Sequence, residues 1–136
     1  VPSGTVSQSK TFFTIGTTGS SSNCLLIYRY SNTNNIGVWN GGSTILASSS
    51  AIPQTQWAHL ALTRNSSNTI NVWINGVDKG SVSNSNNFIP GTHGIKIGSE
   101  NPLGYYFNGY MSDIRITKGL ARYTSTFTPP TAALQG

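Results

Sequence analysis

A two-residue alternation of apolar and polar positions dominates the middle of the chain. In Trp57-Ala58-His59-Leu60-Ala61-Leu62-Thr63-Arg64, Leu60 and Leu62 fall on one face, with His59, Ala61 and Thr63 on the other. In Thr69-Ile70-Asn71-Val72-Trp73-Ile74, Ile70, Val72 and Ile74 alternate with Asn71 and Trp73. Period two with β-branched and aromatic enrichment marks half-buried strands. Asn75-Gly76 then supplies the two positive-φ positions of a type I′ hairpin turn, and residues 77–83 return as the next strand. The same reasoning predicts strands over 10–15, 25–30, 36–40, 43–49, 94–98 and 109–117. The clusters at 16–23, 31–35, 40–42 and 83–87, rich in Gly, Ser, Thr and Asn, read as turns, because Asn and Ser satisfy local backbone groups and Asn tolerates left-handed φ. No segment has helical periodicity, although 117–123 has room for one helical turn before Thr128-Pro129-Pro130. Short strands about ten residues apart predict an all-β, antiparallel sandwich or jelly roll.

Length and composition narrow this further. The 136 residues suit a single domain over 1–136. Ser, Thr and Asn fill 49 positions and charged residues only 11, while 36% hydrophobic content with 14 aromatics is too much for a disordered polar tract. No apolar run approaches the ~18 residues that cross a bilayer as a helix, so membrane insertion is not expected. The formal charge of +5 reflects few acids rather than many bases, and of the eight cations only Arg115, Lys118 and Arg122 crowd together. A phosphate backbone needs several bases converging on one face, so nucleic acid is not expected as a partner. The single Cys24 precedes Leu25-Leu26-Ile27 and reads as a buried apolar residue.

Three blocks carry a family resemblance. The carboxyl-terminal block is Tyr106-Phe107-Asn108-Gly109-Tyr110-Met111-Ser112-Asp113-Ile114-Arg115-Ile116-Thr117-Lys118-Gly119-Leu120-Ala121-Arg122-Tyr123, followed by Thr126-Phe127-Thr128-Pro129-Pro130. The others are Trp57-Ala58-His59-Leu60-Ala61-Leu62-Thr63-Arg64 and Val72-Trp73-Ile74-Asn75-Gly76-Val77. Together they resemble the laminin-G-like, concanavalin-A-like jelly-roll family, in the versions found in bacteriophage structural proteins such as tail fibres. Family members usually open with a strand that pairs with the closing one. Here Val1-Pro2-Ser3-Gly4 leads almost directly into Phe12-Phe13-Thr14-Ile15-Gly16. The resemblance therefore implies a jelly roll lacking its usual N-terminal strand, a fragment of a longer polypeptide, with an open side or an intermolecular partner at the strand over 109–117.

The chemistry of the side chains disfavours an enzyme. Glycoside hydrolysis needs two carboxylates across the scissile bond, and the chain offers only Asp78, Glu100 and Asp113. Asp78 follows the Asn75-Gly76 turn and should be solvated, and Asp113 and Arg115 should share one strand face as a structural pair. His59 lies mid-strand and His93 in a Gly-rich loop, with no nucleophile elbow beside either. No cofactor is expected; the resemblance makes calcium the accessory ion to consider, with Glu100 as its one loop carboxylate. Asn65-Ser66-Ser67 is a formal glycosylation sequon. Carbohydrate binding fits better, because aromatic faces stack on sugar rings while Asn, Ser and Thr pair with hydroxyls. The candidate glycan-binding residues are Tyr28, Tyr30, Asn34, Asn35, Trp39, Glu100, Asn101 and Tyr105. By contrast Trp57, Trp73, Phe107 and Tyr110 alternate with apolar neighbours and are expected in the core. The expected role is a non-enzymatic module of a virion surface or appendage, or otherwise extracellular, touching host-surface glycans. The alternative is a purely structural module packing against neighbouring virion subunits or copies of itself.

Overall fold

A computed structural model describes residues 10–16, 22–100 and 104–132. Within them eight strands follow in order: β1 (Lys10–Ile15), β2 (Leu25–Arg29), β3 (Asn35–Asn40), β4 (Ser43–Ala51), β5 (Leu60–Arg64), β6 (Thr69–Ile74), β7 (Val77–Ser83) and β8 (Ile95–Ile97). They form two antiparallel sheets. The larger runs β4-β3-β2-β1-β8 and the smaller β5-β6-β7. The two-layer all-β architecture expected from the alternation is what the chain adopts.

Alternation explains the packing between the layers. Ile70, Val72 and Ile74 of β6 turn inward and meet Leu25, Ile36, Val38 and Ile52, with Phe12, Ile15, Leu60 and Leu62 around them. The Asn75-Gly76 turn has both residues at positive φ, 51° and 79°, as a type I′ hairpin requires. Gly76 also passes so close to the Phe127 carbonyl that any side chain there would collide with it.

The larger sheet is apolar on its second face too. Leu26 and Tyr28 of β2 and Trp39 of β3 point away from the sandwich and pack with Cys24 and Tyr30. A bulge between Thr11 and Phe13 puts Thr11 and Thr14, both buried, opposite Tyr28 and Leu26 on this outer face. Tyr28 fits only because Gly37 lies opposite it, where a Cβ would fall 2.3 Å from the ring. The segment after β8 crosses here, with the Thr14 hydroxyl donating to the Ser99 carbonyl at 2.9 Å and the buried Glu100 following.

At one side the sandwich is closed by β4 against β7, where Gly80 lies beside Leu46 and Ala47. On the other side it is open among the described residues, and the edge strands β8 and β5 both line the gap. Several expectations are corrected in this region. Residues 109–117 join neither sheet, because Asp113 stands at φ 52° and interrupts the extended run. The shared strand face expected for Asp113 and Arg115 therefore does not exist, and the expected strand at 109–117, with its open side or intermolecular partner, is not a strand in this fold. No helical turn forms over 117–123; the one helical segment among the described residues is the 3-10 turn Gly91–His93. Val1 to Gly4, on which the missing-strand expectation rests, lies outside the described residues.

Candidate functional site

The tract after β8 is fastened at both ends and spans the open side between them. At its start, Phe107 N–H donates to the Gly98 carbonyl at 2.8 Å and Thr11 N–H to the Tyr105 carbonyl at 3.3 Å, which ties it to the larger sheet. Phe107 then rests against Phe12, their ring centroids 4.8 Å apart. At its far end Phe127 N–H donates to the Gly76 carbonyl at 3.0 Å on the smaller sheet. Tyr123 and Phe127 stack there at 3.6 Å, with His59 and Trp73 edge-on to the Phe127 ring. Burial beneath these rings pushes the His59 imidazole below its usual pKa.

Between these anchors lies a cleft of about 1340 Å³. Its floor is the inter-sheet core, from Phe12 and Ile27 on one layer to Leu60 and Leu62 on the other. Its mouth carries Gln54, Gln56, Trp57, Asn108, Tyr110 and Ser112. Trp57 is 71% exposed and Tyr110 89% exposed. Both were expected in the core. Trp57 lies instead in the segment before β5, which begins only at Leu60, and Tyr110 lies in the unpaired tract. Trp73, expected in the core as well, is buried there, and its indole N–H donates to the Thr63 hydroxyl at 2.9 Å. The sequence did contain a signal for Trp57, since Pro53-Gln54-Thr55-Gln56 before it is uniformly non-hydrophobic and Trp57 continues that segment.

The eight candidate residues fall elsewhere and divide into two groups. Tyr28, Tyr30 and Trp39 do come together, on the outer face of the larger sheet, but Tyr28 and Trp39 are buried in the chain and offer no face to a ligand. The Tyr28 hydroxyl is occupied by Tyr30 at 2.8 Å and Thr44 at 2.6 Å. Glu100, expected in a loop, is only 4% exposed, near enough to this cluster to raise the Tyr28 and Cys24 pKa values further beyond the effect of burial. Among the described residues no three His, Cys, Asp or Glu side chains group as metal ligands. Asn34 and Asn35 lie at the far end of β3. Asn34 accepts from Arg29, and the Asn35 amide donates to the Ser48 carbonyl at 2.5 Å. Tyr105 is half-buried, and Asn101 lies outside the described residues.

The remaining reactive groups are tied into structure. Asp78 is exposed, as expected, and accepts from the Asn71 amide at 2.9 Å and Gly80 N–H at 2.8 Å. Cys24 is buried, as expected, and that burial raises its thiol pKa, the opposite of what a nucleophilic cysteine requires. The Asn65 side chain of the sequon caps its own turn, accepting from Ser67 and Thr69 N–H at 3.0 Å each. No described helix is long and apolar enough to cross a membrane.

Comparison with known proteins places this architecture. No curated protein matches the sequence. Among solved structures, the chain is similar to residues 221–444 of an S-layer domain-containing protein from Clostridium thermocellum, at 24% identity and a TM-score of 0.41. That likeness covers 87% of this chain, which spans 59% of the other. The family model described as the concanavalin A-like lectin/glucanases superfamily, of the third laminin G type, matches residues 1–121. The chain, with its two facing antiparallel sheets, belongs to the concanavalin A-like lectin/glucanase superfamily.

Proposed function

We propose that this chain is a non-catalytic carbohydrate-binding module of a particle or cell surface, and that the cleft at the open side of the sandwich takes the sugar. The observation that carries this reading is the pair of exposed aromatic side chains, Trp57 and Tyr110, on a cleft whose mouth is otherwise amide and hydroxyl. Aromatic faces bury the apolar side of a sugar ring, and Gln54, Gln56, Asn108 and Ser112 supply donors and acceptors for its hydroxyls. The superfamily holds both lectins and glucanases. Binding without turnover is favoured because retaining and inverting hydrolysis both use a carboxylate pair, and the cleft lining holds one acid, Asp113. The test is a glycan-array and calorimetric comparison of wild type with Trp57→Ala and Tyr110→Ala. Each substitution should weaken binding about tenfold, ~1.4 kcal/mol, while leaving the melting temperature nearly unchanged. Absence of binding to any glycan overturns the reading.

One observation favours a second reading, assembly. Tyr106, Tyr110, Met111, Ile114, Ile116 and Leu120 are all exposed, an apolar density that on soluble proteins often marks a contact surface. Sedimentation over a range of concentrations separates the two readings. A stable oligomer abolished by Ile114→Ser/Ile116→Ser supports assembly, and a monomer that binds glycan supports the cleft.

A further inference from the structure

The charge of the molecule is concentrated at this cleft. Five of the chain's eight Lys and Arg residues line it, Arg29, Arg64, Arg115, Lys118 and Arg122, against one of its three acids, Asp113. A formal +4 of the chain's +5 therefore surrounds one opening. The other described acids lie away from it, Asp78 within β7 and Glu100 beyond the outer face of the larger sheet.

Three of the guanidinium groups are oriented by partners that leave their charge uncancelled. Arg29 donates to the side-chain oxygens of Asn34 and Gln54. Arg64 donates to the Asn86 carbonyl and lies 4.8 Å above the Phe88 ring. Arg122 donates through Nε to the Thr117 hydroxyl at 3.2 Å. Amide, carbonyl and hydroxyl oxygens fix direction without neutralising the cation. The result is a set of oriented donors suited to the oxygens of anionic groups such as carboxylate and sulfate.

We infer that the ligand of the cleft is an acidic polysaccharide, one whose sugar rings carry carboxylate or sulfate groups. This rests on the carbohydrate reading above and adds the charge class of the sugar. A polysaccharide is favoured over a nucleic acid because the cations sit on β2, β5 and the tract after β8, around a cleft, rather than in a continuous row that follows a phosphate backbone. Rings stack on Trp57 and Tyr110 while their acidic substituents reach the surrounding arginines and Lys118.

Affinity electrophoresis of the full chain in gels containing dextran, dextran sulfate, polygalacturonate or single-stranded DNA tests this. Retention should occur with an acidic polysaccharide and not with dextran, and should fade between about 0.05 M and about 0.5 M salt as screening shortens from ~14 Å to ~4 Å. Retention by only one acidic polymer supports the inference and identifies the group recognised. Lys118→Gln/Arg122→Gln, both at exposed positions, should weaken retention about tenfold, whereas Lys79→Gln, outside the cleft, should not change it. Equal, salt-insensitive retention by dextran overturns the inference and leaves the carbohydrate reading standing. Retention by none of the polysaccharides overturns the inference, and the glycan array then decides the carbohydrate reading separately. DNA held as tightly as the acidic sugars, with Trp57→Ala indifferent, also overturns it.

Discussion

Asn40 illustrates how much one side chain carries in a chain so poor in charge. It is buried at the end of β3, and its amide donates to the Ser22 and Cys24 carbonyls at 2.7 and 2.6 Å. Its oxygen accepts from the Asn84 and Asn86 amides at 3.0 and 2.6 Å. One residue thus ties two loops to β3 through four hydrogen bonds, the one to Cys24 fully buried. Asn40→Ala should cost about 2–4 kcal/mol, read as a fall in the urea midpoint, because the freed carbonyls lose their partner. A loss below about 0.5 kcal/mol would show that water replaces the amide. His59 makes a different prediction. Its Nδ1 is buried without a partner in the described structure, beside the Tyr123 and Phe127 rings, and its pKa is depressed by burial. The unfolded chain therefore takes up a proton first on acidification. The His59 contribution is intact above the ordinary histidine pKa of ~6.5 and is lost as pH falls from there toward the folded value. The melting temperature should drop across that interval in the wild type and less in His59→Phe, and equal drops would exclude His59 as the cause.

At the scale of elements, strands whose alternation met a partner formed where expected. The run over 10–15 became β1, 69–74 became β6 and 77–83 became β7 with no change of bounds. The one that failed, 109–117, alternates equally well but has left-handed Asp113 in its middle and crosses from one sheet to the other without joining either. Alternation records which side chains tolerate a half-buried position; pairing needs a neighbouring edge in register. Backbone outside a ladder reaches a protease's extended binding mode more readily. Limited trypsin digestion should therefore cut first after Arg115, Lys118 and Arg122, all exposed, and only later after Arg29 in β2 or Arg64 in β5. Early cleavage after Arg64, with the closing tract intact, would contradict this arrangement.

For the molecule as a whole, the layers meet along β4 and β7 and part along β5 and β8, which makes one surface into both the chemical and the apolar focus of the chain. The outer face beneath Glu100 is the opposite case, sealed around Cys24. Burial and the raised pKa should keep that thiol silent toward a disulfide reagent at pH 8 until the fold opens, and its labelling rate should track global unfolding in urea. Fast labelling of the native protein would mean the outer face breathes independently. The amino-acid order alone determined the strand class, the hairpin at Asn75-Gly76, the burial of Cys24 and the family, because these depend on periodicity, local turn geometry and side-chain polarity that neighbours in the chain already contain. It could not distinguish a buried aromatic from an exposed one. Tyr28 and Trp39 were sunk into a second face that exists only because Gly37 and the Thr11 bulge admit them. Trp57, Tyr110 and five dispersed cations were gathered at one opening by the way two sheets close on one side and not the other. Which residues share a surface is set by contacts between segments far apart in sequence, and tertiary structure alone decided it.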